Sequence, residues 1–218
     1  MASQLTTKNL QGFKNQLKGG GARPNLFEVS VPAFPAGVVE SGGVNWDKDV
    51  NTELRFLCKA AQLPASTVAE VPVPFRGRIL KVAGDRTFEP WTITIINDEN
   101  FKIRSSFEAW MNAISDLSDA TGITNPSSYM TNAYVYQLGR GITRSATSHP
   151  EDNKLQSVLR SYKFLDVFPT EVSSIDLSYD SSDTIEEFSV TFQINEFIIG
   201  VGESGVNDSA EGADREIR

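Results

Sequence analysis

Residues 83–117 constrain this chain more tightly than any other stretch, because they read as a turn, a strand and one amphipathic helix in unbroken succession. Gly84 and Asp85 suit a turn: glycine accepts positive φ, and aspartate can bond its own backbone. On that reading a Gly84→Val change blocks folding. The strand Trp91–Ile96 is wholly β-branched or aromatic, with Trp91, Ile93 and Ile95 on one face and Thr92 and Thr94 on the other. Asn97 or Asp98 then caps a helix by accepting an orphan backbone N–H. Along that helix Ile103, Phe107, Trp110, Met111, Ile114 and Leu117 form one apolar stripe at the 3.6-residue period. Such a stripe predicts a helix that packs on the open face of a sheet. No polar or ligand residue sits among its members, so it is no cofactor box.

Elsewhere the signals are those of short strands. Phe27, Val29 and Val31 share a face, as do Leu54, Phe56 and Cys58, and both sets read as strands. Residues 32–50 carry Pro32, Pro35, Gly37, Gly42 and Gly43 and read as a long loop or insertion. Val71–Pro74 lacks two ladder donors, which suits a sheet edge or an extended crossing segment. Phe75–Val82 reads as a strand with Arg76 and Arg78 exposed. Tyr134, Tyr136 and Leu138 predict another strand, and residues 139–154 a polar connection holding His149. Ser157–Phe168 reads as a long strand broken by Pro169. Ile175–Asp180 and Phe188–Asn195 alternate cleanly and predict an antiparallel hairpin turned at Asp180–Asp183. About eight strands and one principal helix result. The fold class is mainly β (α+β): an antiparallel sandwich or partly closed barrel with one flanking helix. The expected organisation is a flexible N-terminal arm (1–21), a β domain (22–199) and an acidic mobile tail (200–218). Leu5, Leu10, Phe13 and Leu17 offer the arm the alternative of a short helix ordered against a partner.

Charge placement excludes one class of function. From residue 179 onward there are ten acidic residues (Asp180, Asp183, Glu186, Glu187, Glu196, Glu203, Asp208, Glu211, Asp214, Glu216) against Arg215 and Arg218. These account for the whole net charge of −8, since the first 178 residues balance at 18 and 18. Such a chain does not hold nucleic acid tightly, because phosphate binding needs clustered Lys and Arg. No apolar run approaches the 18 or so residues of a membrane span. The start Met1–Lys8 lacks the apolar centre of a signal peptide, so a cytosol-made protein is expected. A single cysteine, Cys58, excludes an internal disulfide and reads as a small buried hydrophobe.

Catalytic constellations are missing. His149 has no second ligand or nucleophile near it in sequence, and Gly139–Arg140–Gly141 lacks the context of a phosphate loop. Glu186 and Glu187 would point to opposite faces of a strand, and Asp180 and Asp183 are turn formers. Asn207–Asp208–Ser209 matches a glycosylation acceptor without a secretory context. No cofactor or metal is expected.

Several segments together resemble the tail tube proteins of T4-like contractile-tailed bacteriophages. They are Ala22–Val29, Cys58–Ala60 with Leu63–Ala65, Val82–Phe88 (holding Gly84, Asp85, Arg86 and Thr87) with Trp91–Thr94, Asn97–Glu99, Phe107–Trp110, Phe168–Thr170 and Ile185–Thr191. The chain departs from the pattern at 1–21, 32–50, 139–154 and 198–218. The resemblance implies a β-barrel with a flanking helix, shared with tubes of type VI secretion and other contractile injection systems. It implies hexameric rings stacked into a hollow tube, virion location after assembly in the host cytoplasm, and DNA in transit without specific binding. The implied partners are sheath, baseplate, terminator and tape-measure proteins, with no membrane. Candidate acidic positions for the lumen or for ring-to-ring contact are Asp176, Asp180, Asp183, Glu186 and Glu187. The alternatives are a tube of a non-phage contractile or type VI-like system and, more distantly, a small-ligand- or glycan-binding barrel.

Overall fold

The computed structural model describes residues 9–17, 21–42, 46, 48–144 and 154–201. His149, the Asn207–Ser209 triplet and the acidic tail beyond residue 201 lie outside the described residues. These residues hold nine strands and four α-helices. The helices are α1 (Leu10–Gln16), α2 (Ala36–Gly42), α3 (Lys48–Leu57) and α4 (Lys102–Ile114). The strands are β1 (Phe27–Ser30), β2 (Cys58–Ala61), β3 (Ser66–Phe75), β4 (Arg78–Phe88), β5 (Trp91–Ile96), β6 (Thr131–Arg144), β7 (Lys154–Val172), β8 (Glu187–Gln193) and β9 (Glu196–Val201). The class is mainly β and antiparallel, as the sequence predicts. No helix among the described residues is long and apolar enough to cross a membrane.

The chain clusters into two compact units. The larger comprises Glu28–Val135 and Tyr162–Ile199. Its main sheet runs in the order β1-β6-β7-β8-β5-β2, with β9 paired to β7. β5 is an interior strand, flanked by the edge strand β2 and by β8, and its register sets Trp91, Ile93 and Ile95 opposite Phe192, Val190 and Phe188. All six of these side chains are buried. Alternation along β5 leaves Thr92 and Thr94 half-buried on the other face, as expected. α4 packs on the apolar face, with the Phe107 ring 5.6 Å edge-on to Phe192 and the Trp110 indole donating to the Tyr129 carbonyl at 2.8 Å.

Several local expectations change. The stripe of α4 holds for Ile103, Phe107 and Trp110, which are buried, while Met111 and Ile114 are half-buried. It fails at Leu117, which lies past the helix end and is fully exposed. The helix stops because Asn112 Oδ1 accepts the Leu117 N–H and Asp116 accepts the Ser118 N–H, so side chains satisfy donors that a further turn would have used. At its start the cap residue is Phe101, in a left-handed conformation without a side-chain cap bond. Asn97 instead donates to Glu186, and Asp98 accepts the Asn100 N–H.

Residues 36–42 and 48–57 are helices rather than loop and strand. Val50, Asn51 and Leu54 fall on one helical face and are buried, whereas Phe56 is exposed. The alternation of Leu54, Phe56 and Cys58 was a coincidence at a helix-to-strand junction. Asn51 fastens α3 by accepting the Val31 N–H at 3.0 Å, and Arg55 pairs with Glu28. Cys58 is buried and free, as expected.

The strands of the C-terminal half also differ. β6 turns Ala133 and Val135 inward, opposite in phase to the Tyr134–Leu138 set. β7 runs through Pro169 with a register shift at Pro169/Glu171, because a bulge absorbs the missing donor. Residues 173–186 are a loop, so β8 pairs with β7 and not with 175–180. The alternation Ile175, Leu177, Tyr179 had no partner ladder to join.

The smaller unit comprises Met1–Phe27, Tyr136–Ser161 and Gly200–Arg218. In it Gln137 donates to the Arg23 and Leu26 carbonyls, each at 2.7 Å. The arm contains a short helix: α1 is capped by Asn9, whose side chain accepts the Gly12 N–H, and Leu10, Phe13 and Leu17 are exposed along it, while Leu5 lies outside the described residues.

Candidate assembly surface

The segment 66–88 is a part of the larger unit whose apolar side chains are mostly exposed. It starts from a tight turn. Arg76 (φ 46°) and Gly77 (φ 83°) sit between Phe75 and Arg78, which pair directly. Two consecutive residues at positive φ make the two-residue hairpin turn whose twist matches that of its strands. A glycine second in that turn is what the geometry requires. The Arg76–Gly77 pair carries this signal in the sequence, and the turn divides the single strand expected over Phe75–Val82.

From the turn, β3 and β4 pair back to Ser66 and Phe88 as a separate two-stranded sheet. Directly opposed residues share a face. Val71 faces Val82, Val73 faces Leu80 and Phe75 faces Arg78, so five apolar side chains line one side of the ribbon. Phe75 and Leu80 are 66 % and 62 % exposed, and the three valines are also exposed. The other side carries Pro72, Pro74, Ile79 and an ion pair, Glu70 to Lys81 at 2.8 Å. Pro72 and Pro74 lie in β3, where a missing donor is tolerated only on the outer edge. They confirm the edge reading of 71–74 and blunt that edge.

Near its base the ribbon is bent. Val68 pairs with Arg86 and Glu70 with Ala83, so Ala69 faces two residues, Gly84 and Asp85. This bulge replaces the turn expected there. Gly84 has no positive φ. Its role is close approach: a Cβ would lie 3.1 Å from the Ala69 carbonyl oxygen and 3.1 Å from Val71 Cγ2. A glycine within a strand marks such a bulge as readily as a turn. Arg86 and Thr87 continue β4 beyond it. The base is closed by the Glu89 N–H on the Ala65 carbonyl at 3.1 Å, and Phe88 packs edge-on to Phe197 of β9 at 5.3 Å.

A second exposed set lies on the 173–186 loop. Leu177, Tyr179 and Ile185 are exposed there, together with Asp176, Asp180 and Asp183. The five acidic candidates therefore separate. Glu186 accepts from Asn97 at 2.9 Å and Glu187 pairs with Lys59 at 2.6 Å, so both are tied to the strands they flank. The three aspartates have no ion-pair partner among the described residues. No group of three or more His, Cys, Asp or Glu side chains among the described residues could hold a metal ion. The arrangement offers docking surfaces.

Comparison with known proteins agrees with such a role. The family described as phage tail tube protein matches residues 22–200. The chain is similar to the tail tube protein gp19 of Enterobacteria phage T4, at 31 % identity over 177 residues, covering 81 % of this chain and 91 % of that one. It is similar to gp19 of Enterobacteria phage T6 at 30 % identity with the same coverage. In fold it resembles a chain of the anti-feeding prophage baseplate, with a TM-score of 0.54 and 10 % identity over 83 % of this chain and 96 % of the other.

Proposed function

This chain belongs to the phage tail tube protein family, and on that premise we propose that its copies close into hexameric rings stacked into a hollow tube that conducts DNA during ejection. Members of the family are structural components of the virion, and this chain is a structural protein rather than an enzyme. The observation that carries the finer reading is the β3–β4 ribbon. It is a separate two-stranded sheet with an apolar face open to solvent, and an isolated hairpin in water is marginal at best. A second copy covering that face supplies the missing burial, and a closed ring repeats one heterologous contact by rotation. The six-fold symmetry applied to the anti-feeding prophage baseplate supports the ring number.

Assembly takes place in the host cytoplasm, and the tube then meets sheath, baseplate, terminator and tape-measure proteins. The chain's negative charge supports a bore that lets DNA slide, since it offers phosphates no counter-charge. Asp176, Asp180, Asp183, Glu186 and Glu187 serve either the bore or the contact between rings. Electron microscopy of the purified protein tests the reading: annular particles or tubes are expected. A monodisperse monomer at high concentration in every salt would overturn it.

The fold likeness to the anti-feeding prophage supports a second reading, a tube of a non-phage contractile injection system. Neighbouring genes decide between the two. Capsid and portal genes favour the virion; an ATPase with spike genes and no capsid favours the other.

A further inference from the structure

We propose that the tip of the β3–β4 ribbon of one copy docks on the 173–186 loop of a second copy, joining an apolar cationic surface to an apolar anionic one. The inference rests on the self-association proposed above and assigns its contact. Between Phe75 and Lys81 there are three basic residues and no acidic one; between Ser173 and Glu186 there are four acidic residues and no basic one. Lys81 is already engaged by Glu70, and Glu186 by Asn97. Among the described residues, the charges left without an ion pair are Arg76 and Arg78 against Asp176, Asp180 and Asp183.

Both surfaces are apolar between their charges. Phe75 and Leu80 stand exposed beside the arginines, and the Arg76 guanidinium lies over the Phe75 ring at 5.4 Å. On the loop, the Ser181 N–H donates to the Ser178 carbonyl and the Asp180 N–H to the Ser178 hydroxyl, a turn that leaves Tyr179 wholly exposed. An aromatic side chain held out by a turn, rimmed by acids, suits a ribbon tip of apolar residues rimmed by arginines. Ribbon tip on ribbon tip would set arginine against arginine, which like-charge repulsion disfavours. The loop is therefore the better occupant of the tip.

The test reverses each side and then both. Arg76→Glu with Arg78→Glu, and separately Asp176→Lys, Asp180→Lys and Asp183→Lys, each change only exposed charges, so thermal unfolding midpoints stay near the parent's. Sedimentation velocity then gives the concentration at which assemblies form. Each reversal raises it roughly tenfold, and the two sets combined in one chain return it to within about threefold. A parent protein that never associates removes the tube reading itself. A parent that associates, with loop variants that do so equally well or with combined variants as defective as the worse single set, overturns this contact alone. As a second measurement, chains carrying Arg78→Cys and chains carrying Asp180→Cys are mixed and oxidised. A cross-link between the two kinds is expected, and its absence overturns the proposal.

Discussion

Single side chains in the core carry consequences that depend on polar satisfaction as much as size. Trp91 is wholly buried against Phe164 and Phe192, at 4.7 and 5.1 Å between ring centroids, yet its indole N–H has no hydrogen-bond partner among the described residues. Trp91→Ala should cost about 3–5 kcal/mol in denaturant unfolding. Trp91→Phe should cost under about 1.5 kcal/mol, because it removes a buried donor that was never satisfied. On α4 the contrast is Phe107, buried, with Leu117, exposed beyond the helix end. Phe107→Ala should lose about 3–5 kcal/mol, and Leu117→Ser should stay within about 0.5 kcal/mol. Burial pushes the Cys58 thiol up to about 12, outweighing the lowering effect of a backbone hydrogen bond at Ala60. The folded chain thus keeps a proton that the unfolded chain releases, so Cys58 stabilises the fold below the ordinary thiol range. That contribution fades as pH rises from about 9 through about 12. Unfolding curves across that range should show a decline that Cys58→Val reduces.

Among the elements, the β3–β4 ribbon separates folding from assembly. Its side chains are mostly exposed and Phe88 at its base packs on Phe197, so damage within it stays local. Gly84→Val meets the Ala69 carbonyl and Val71 across the bulge but suffers no left-handed strain. It should therefore fold with a thermal midpoint close to the parent's while assembling poorly. This outcome is the opposite of the folding block that a turn at Gly84 would give. Failure to recover soluble, folded Gly84→Val protein would show that the bulge is needed by the core.

At the scale of the whole molecule the net charge of −8 sets the relation to nucleic acid. Assembled particles should show no mobility shift with duplex DNA at about 0.15 M salt, because few cations are available to release counterions from phosphates. Retention of DNA with a steep salt dependence would mean that basic residues line the bore and would overturn the acidic conduit.

Local periodicity and composition express only part of this molecule. The β5 alternation, the buried face of α4 from Ile103 to Trp110, the buried Cys58, the mainly β class and the family resemblance were all legible in the sequence. The core partners of β5 and the separation of the ribbon from the main sheet were decided only in three dimensions. So was the identity of 48–57 as helix. Alternation at Leu54–Cys58 and at Ile175–Tyr179 looks the same whether or not a partner strand is present to complete the ladder. A glycine at 84 reads alike as turn or bulge until its opposite strand is in place. Pairing between distant segments is a property of the folded chain, and it is there that the ribbon acquired an uncovered apolar face.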